Sequence, residues 1–136
     1  MKKHDEWRQL PIIVDSDSSE PLYVQIKNQL RALIMSGKLS KDTLLPSIRA
    51  LSQQLSCSII TTRRAYHDLE IEGIIKTKQG LGTFVTEIQQ QEQSFYQENE
   101  IRKILRDAIT LSKSFQYSSK DLIRMLTEEL EKEDKS

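Results

Sequence analysis

Apolar residues recur at helical spacing three times between Pro21 and Gly73, and the period then shortens to that of a strand pair. Leu22, Tyr23, Ile26, Leu30, Leu33 and Ile34 follow the 3.6-residue period and predict a helix opened by Pro21, a residue favoured at helix starts. Ser36-Gly37 ends it, with Gly37 as the C′ residue. Ser47 is an N-cap candidate for a second helix with Ile48, Leu51 and Leu55 on one face. Ser56-Cys57 then forms a tight turn, and Ser58 can cap a third helix running to about Gly73. Its buried stripe is expected to be Thr62, Ala65, Tyr66 and Leu69. The opposite side then shows Ile60, Arg63, Arg64 and His67, with Ile59 at the border. Ile74–Lys78 and Thr83–Glu87 read as strands, joined through Gln79-Gly80-Leu81-Gly82 as a hairpin.

The flanks differ from this middle. Residues 1–20 are polar and rich in Ser and Asp, except for Leu10-Pro11-Ile12-Ile13-Val14, a β-branched run that is a candidate edge strand. After Ile88 a polar Gln-rich stretch leads to an apolar stripe of Phe95, Ile101, Ile104, Leu105, Ala108, Leu111 and Phe115. Ser118-Ser119-Lys120-Asp121 is a capping-box variant, and Leu122, Ile123, Leu126 and Leu130 mark a last helix. The expected organisation is an N-terminal arm (1–20), a small α/β domain (21–88) and a two-helix hairpin (89–136). The fold class is thus mainly α with a small β-wing: a winged helix-turn-helix followed by a C-terminal α-helical hairpin.

The formal net charge is +0, which by itself argues against a nucleic-acid partner. The distribution reverses that reading. Residues 22–86 hold nine Lys or Arg against four Asp or Glu, a balance of +5, while 1–21 carry −2 and 87–136 carry −3. Local sign is what an anionic partner meets. Cys57 is the single cysteine, so no disulfide closes within the chain, in keeping with a reducing, cytoplasmic setting. Its place in a short turn suits a small packing residue. No apolar stretch of signal-peptide or membrane-span length is present.

Two helices joined by a short turn let the second enter the major groove while the first braces the backbone. The first turn of the second helix must then offer small, hydrogen-bonding or cationic residues, so that base edges and phosphates lie within reach. Ser58, Thr61 and Arg63 meet that need, and Arg49 in the preceding helix is placed to reach phosphates or a base edge. Arg64 adds a second cation on the same exposed side. The hairpin tip carries two glycines, Gly80 and Gly82, which permit positive φ and close approach to a sugar-phosphate backbone. Lys76 and Lys78 share one face of the strand before it. A helix pair alone is a weak signal, and a solvated basic face is its plain alternative; the order helix, helix, helix, hairpin is what makes the winged reading specific.

Five ordered segments carry a resemblance. Pro21-Leu-Tyr-Val-Gln-Ile, Leu45-Pro-Ser-Ile-Arg-Ala-Leu, Thr62-Arg-Arg-Ala-Tyr, Leu69-Glu-Ile-Glu-Gly-Ile-Ile and Gly80-Leu-Gly-Thr-Phe-Val are similar to the DNA-binding domain of the GntR family of bacterial transcription regulators, over roughly residues 20–86. The short two-helix tail resembles that of the YtrA subfamily; other members carry larger effector domains. The resemblance implies double-stranded DNA as partner, with Arg49, Ser58, Thr61, Arg63, Gln79 and Gly80 where the family touches it. The sequence departs from the family pattern at Ile59 and Ile60, where many relatives place Arg, Asn or Thr. One reading is contact with thymine methyl groups and an operator rich in A·T there. The other is that Ile59 packs partly into the domain and Ile60 is neutral.

Two amphipathic helices of this length cannot cover both apolar faces alone, which favours a homodimer. The contact candidates are Phe95, Ile101, Ile104, Ala108, Leu111, Leu122, Leu126 and Leu130, some of which must face the partner helix within the hairpin. A two-fold dimer matches a palindromic operator with half-sites roughly 10 bp apart. No catalytic group, cofactor or metal site is expected: His4 and His67 are isolated, Cys57 has no partner at ligand spacing, and Gly80-Leu-Gly is too short for a dinucleotide fingerprint. The class-different alternative is a winged-helix adaptor that binds another polypeptide through Ile59, Ile60 and Leu81.

Overall fold

The computed structural model describes residues 9–135, so His4 and the first eight residues of the arm lie outside the described residues. The order is α1 (Leu22–Met35), α2 (Ile48–Leu55), α3 (Ile59–Ile71), β1 (Ile75–Lys78), β2 (Gly82–Val85), α4 (Gln90–Ser114) and α5 (Ser119–Asp134). The chain divides into two compact units between Ser94 and Phe95, inside α4 and a few residues past the compositional change at Ile88.

In the first unit each helix ends where its sequence dictates. Pro21 caps α1 through its carbonyl, which accepts the N–H groups of Val24 and Gln25 at 3.1 Å. Gly37, at φ +88°, takes the left-handed turn after the helix and donates its N–H to Ile34. The Ser47 and Ser58 hydroxyls accept the N–H groups of Ala50 and Thr61 and so start α2 and α3. Ile26, Leu30 and Ile34 of α1, Leu51 of α2, and Ala65, Tyr66 and Leu69 of α3 form the core with Ile75 and Val85 of the sheet. Thr62 is also fully buried, so the expected α3 stripe is the observed one.

The wing is an antiparallel pair with Ile75 opposite Val85 and Lys78 opposite Gly82. A third segment joins it where the sequence reads as loop. Val85 donates to Thr43 O, Leu45 donates to Thr83 O, and Leu44 bridges Phe84. The hairpin is thereby pinned to the segment that leads into α2. Gly82 sits at φ +127°, and a Cβ there would come within 2.7 Å of Leu44 Cδ1. Gly82→Ala is therefore expected to cost about 1–3 kcal/mol and to loosen the wing. Chemical denaturation with amide exchange at Thr77 and Thr83 checks this; an unchanged midpoint contradicts it.

The candidate edge strand at Leu10–Val14 is corrected by the structure, which has no strand there. Side-chain amides stand in for a neighbouring strand. Ile13 donates to Gln29 Oε1 at 3.0 Å and accepts from Gln29 Nε2 at 2.7 Å. Gln25 holds both polar groups of Asp15 in the same way and also reaches Glu20 O, while Gln54 donates to Leu10 O. A glutamine amide presents one acceptor and two donors, so it satisfies an extended backbone without a ladder. Leu10 and Ile12 then insert into the core.

In the second unit, the Ser118 hydroxyl accepts Asp121 N–H while the Asp121 carboxylate accepts the Ser118 N–H, completing the capping box of α5. The backbone N–H of Ser118, then its hydroxyl, hold the Asp121 carboxyl below its ordinary pKa. The box therefore supports α5 above the usual carboxylate range and is lost as pH falls through the lowered value. The two helices meet only at their corner. Ser112 is buried there, half-buried Ala108, Leu122 and Met125 line an apolar hollow of about 300 Å³, and Phe115 and Tyr117 stay exposed. Leu111 borders the same hollow and is exposed, and away from the corner Phe95, Ile101, Ile104, Leu126 and Leu130 are all exposed.

Candidate nucleic-acid interface

The angle between α2 and α3 is set by a polar cluster at their turn. Ser56 adopts φ +54°, the left-handed residue that ends α2. Ser52 Oγ donates to the buried Thr62 Oγ1 at 2.8 Å, and the Cys57 thiol lies 3.3 Å from the same oxygen. Cys57 thus serves as the packing residue its position implies. Tyr66 adds a second tie, donating its hydroxyl to Pro46 O at 2.6 Å. Burial pushes that phenol's pKa upward, so it stays protonated and keeps donating.

With α3 held in this way, its outer side is Ile60, Arg63, Arg64 and His67, all exposed. Ile60 is 75% exposed and Ile59 is half-buried, so the structure separates the two isoleucines. Ser58 and Thr61 sit at the helix start, and their hydroxyls lie 2.8 Å apart. Arg49 is exposed in the first turn of α2. At the wing, Lys76, Lys78, Gln79, Gly80 and Leu81 are exposed, and Lys78 Nζ lies 4.9 Å from the Phe84 ring centre. Gly80 takes φ +79° at the tip. The first unit therefore brings together every DNA-contact candidate on α2, α3 and the wing as solvent-accessible or half-buried groups.

Three of the four acids of the middle segment, Asp68, Glu70 and Glu72, are engaged elsewhere. Asp68 pairs with Lys27 of α1 at 3.2 Å, and Glu72 takes the Arg31 guanidinium, with Nε to Oε1 at 2.9 Å. Glu70 accepts the N–H and hydroxyl of Thr77 in β1. Lys41 pairs with Glu87. Among the described residues, Arg49, Arg63, Arg64, Lys76 and Lys78 have no carboxylate within ion-pair distance. Five of the six cations of residues 22–86 without an ion pair thus lie on α2, α3 and the wing, the sixth being Lys38 after α1. Among the described residues no group of three or more His, Cys, Asp and Glu side chains could hold a metal, and no helix is long and apolar enough to cross a membrane.

Two features here were not legible from spacing. Thr62 reads as a stripe position, yet it accepts the hydroxyl that locks the turn. Tyr23 reads as core, yet its ring is half-buried and carries Arg64 at 3.8 Å from its centre. An aromatic residue followed four positions later by Lys27 was the available signal for the latter.

Three helices around a buried turn cluster, a two-stranded wing and an uncompensated basic face define a winged helix-turn-helix protein. Within that class its winged domain matches a particular family: residues 22–85 fit the bacterial regulatory proteins, gntR family. It is 40% identical over 76 residues to the HTH-type transcriptional repressor YtrA of Bacillus subtilis (strain 168), a match covering 56% of this chain and 58% of that protein, and the YtrA subfamily fits it. The chain therefore spans under two-thirds of the length of that curated relative. A GntR family transcriptional regulator from Listeria monocytogenes is similar in structure, with TM-score 0.65 and 29% identity over 82% of this chain and 97% of the other. The AraR DNA-binding domain, solved in complex with operator ORX1, aligns with TM-score 0.51 and 34% identity over 57% of this chain and 96% of that one. These relatives bear the names of regulators, not of enzymes.

Proposed function

We propose that this chain is a cytoplasmic, homodimeric transcription repressor that binds a palindromic operator, acting without a cofactor. The observation that carries this reading is the set of uncompensated cations around the α3 start and the wing, in a chain of zero net charge. α3 enters the major groove. Ser58, Thr61 and Arg63 face base edges and phosphates, Arg49 and Arg64 hold phosphates, and Lys78, Gln79 and Gly80 lie against the neighbouring backbone or minor groove. Ile60, and Ile59 beside it, meet thymine methyl groups. The similarity to an operator-bound AraR domain supports DNA as the partner.

The exposed apolar faces of α4 and α5 support pairing of two copies through Phe95, Ile101, Ile104, Leu111, Leu126 and Leu130. Ala108 and Leu122, half-buried at the corner, lie at the edge of that surface. Repression follows from occupying a promoter against polymerase.

The adaptor reading keeps one observation of its own, the exposure of Ile60 and Leu81. Salt separates the two. Phosphate contacts release counterions, at a slope of about −0.9 per contact in log K against log salt. Ten cations in a dimer give a slope of up to about −9, and half that engagement still exceeds about −4. A near-zero slope for duplex binding would move the conclusion to the adaptor.

A further inference from the structure

Arg64 is held by a ring, not by an acid. Its guanidinium carbon lies 3.8 Å from the centre of the Tyr23 ring in α1. The natural neutralising partner of an arginine on a helix is a carboxylate one turn on, and here that residue is Asp68. Asp68 is instead drawn to Lys27 at 3.2 Å, and the Lys27 ammonium sits 5.5 Å from the same Tyr23 ring. The four groups are sorted so that the acid goes to the α1 cation while Arg64 keeps its full charge. A free arginine samples many rotamers and loses that freedom when it binds. A guanidinium already stacked on a ring loses less, and its remaining N–H donors stay available at the rim of the ring.

We infer that Tyr23 is a positioning residue for DNA binding: its ring pre-sets Arg64 as a phosphate clamp on the α1 flank of the recognition helix. This rests on the DNA-binding reading above. Arg64 lies one turn after Ile60, at the margin of the exposed face of α3 where Tyr23 of α1 borders it. A contact there positions the protein on the duplex and reads no base.

The test is the salt dependence of duplex binding for the full chain and its Tyr23→Phe, Tyr23→Leu, Arg64→Gln and Tyr23→Leu/Arg64→Gln variants. The probe is a duplex selected from random DNA, with a shuffled duplex beside it. Tyr23→Leu and Arg64→Gln are each expected to flatten the slope by about 1 per copy and to weaken both duplexes alike. Tyr23→Phe retains the ring and is expected to bind as the unsubstituted chain does. The double variant is expected to lose no more than either single one.

Several outcomes overturn the inference. A Phe variant as impaired as the Leu variant would assign the effect to the hydroxyl. An unchanged slope in Tyr23→Leu, or fully additive losses in the double variant, would separate the two side chains. Loss of stability in Tyr23→Leu is read apart from binding because Arg64→Gln alters only an exposed side chain. Failure of the unsubstituted chain to bind either duplex would sink the DNA reading and this inference together; normal binding with an unaffected Tyr23→Leu would sink the inference alone.

Discussion

Replacing Ile104 and Leu126 together by Glu is expected to leave the winged domain folded while reducing operator binding by about 100-fold or more. Ile104 on α4 is 69% exposed and Leu126 on α5 is 45% exposed, so neither supports the core of the first unit. In a single chain the two glutamates sit in water at little cost. In a dimer they are forced into an apolar interface, where an unpaired charge is strongly disfavoured. A monomer engages one half-site at a time and loses the effective concentration that joins the two binding events. Sedimentation should show a shift from dimer to monomer, with the unfolding of the first unit unaltered. A variant that stays dimeric, or a monomer with undiminished operator affinity, contradicts the assigned role of the tail.

Leu69→Ala is expected to give the largest loss of stability, about 2–5 kcal/mol. Leu69 is fully buried in α3, the helix that packs against α1, α2 and β1. Removing its side chain takes away transfer energy and leaves a cavity in a small domain. Domains of this kind hold only about 5–15 kcal/mol in total. The recognition helix loses its seat before the whole domain unfolds, so binding should fall at temperatures where the unsubstituted chain is intact. Denaturant titration beside DNA binding checks both parts. A loss below about 1 kcal/mol would mean that α3 is not the element around which the unit packs.

The α3 stripe was legible because a helix with one buried face obliges the sequence to repeat, and Thr62, Ala65, Tyr66 and Leu69 repeat accordingly. Caps were legible for a related reason: Ser47, Ser58 and Ser118 each precede an apolar helix and satisfy a donor the helix cannot. What could not be read depends on partners distant in sequence. Leu10–Val14 has the composition of a strand, but its backbone is paired by Gln25 and Gln29, whose amides look like ordinary polar helix positions. Thr43–Leu45 reads as loop and pairs with β2 because α2 must start beside the wing. The DNA-contact candidates follow from helix-start position, the glycine tip, charge and the family resemblance; which acids quench which cations does not. Asp68 and Glu72 could have neutralised α3 itself, and only the approach of Lys27 and Arg31 on α1 diverts them. The tail helices were legible as elements, whereas their meeting only at the Ser112 corner follows from packing that their periodicity does not encode.

In the proposed mechanism α3 and the wing read duplex DNA in a two-fold arrangement. Its most direct measurement is selection from a pool of random duplex DNA at moderate salt, followed by sequencing of what the protein retains. Enrichment of an inverted repeat with half-site centres roughly 10 bp apart, with A·T pairs where Ile59 and Ile60 approach, is the expected result. Retention without any motif, or no retention at all, would contradict it.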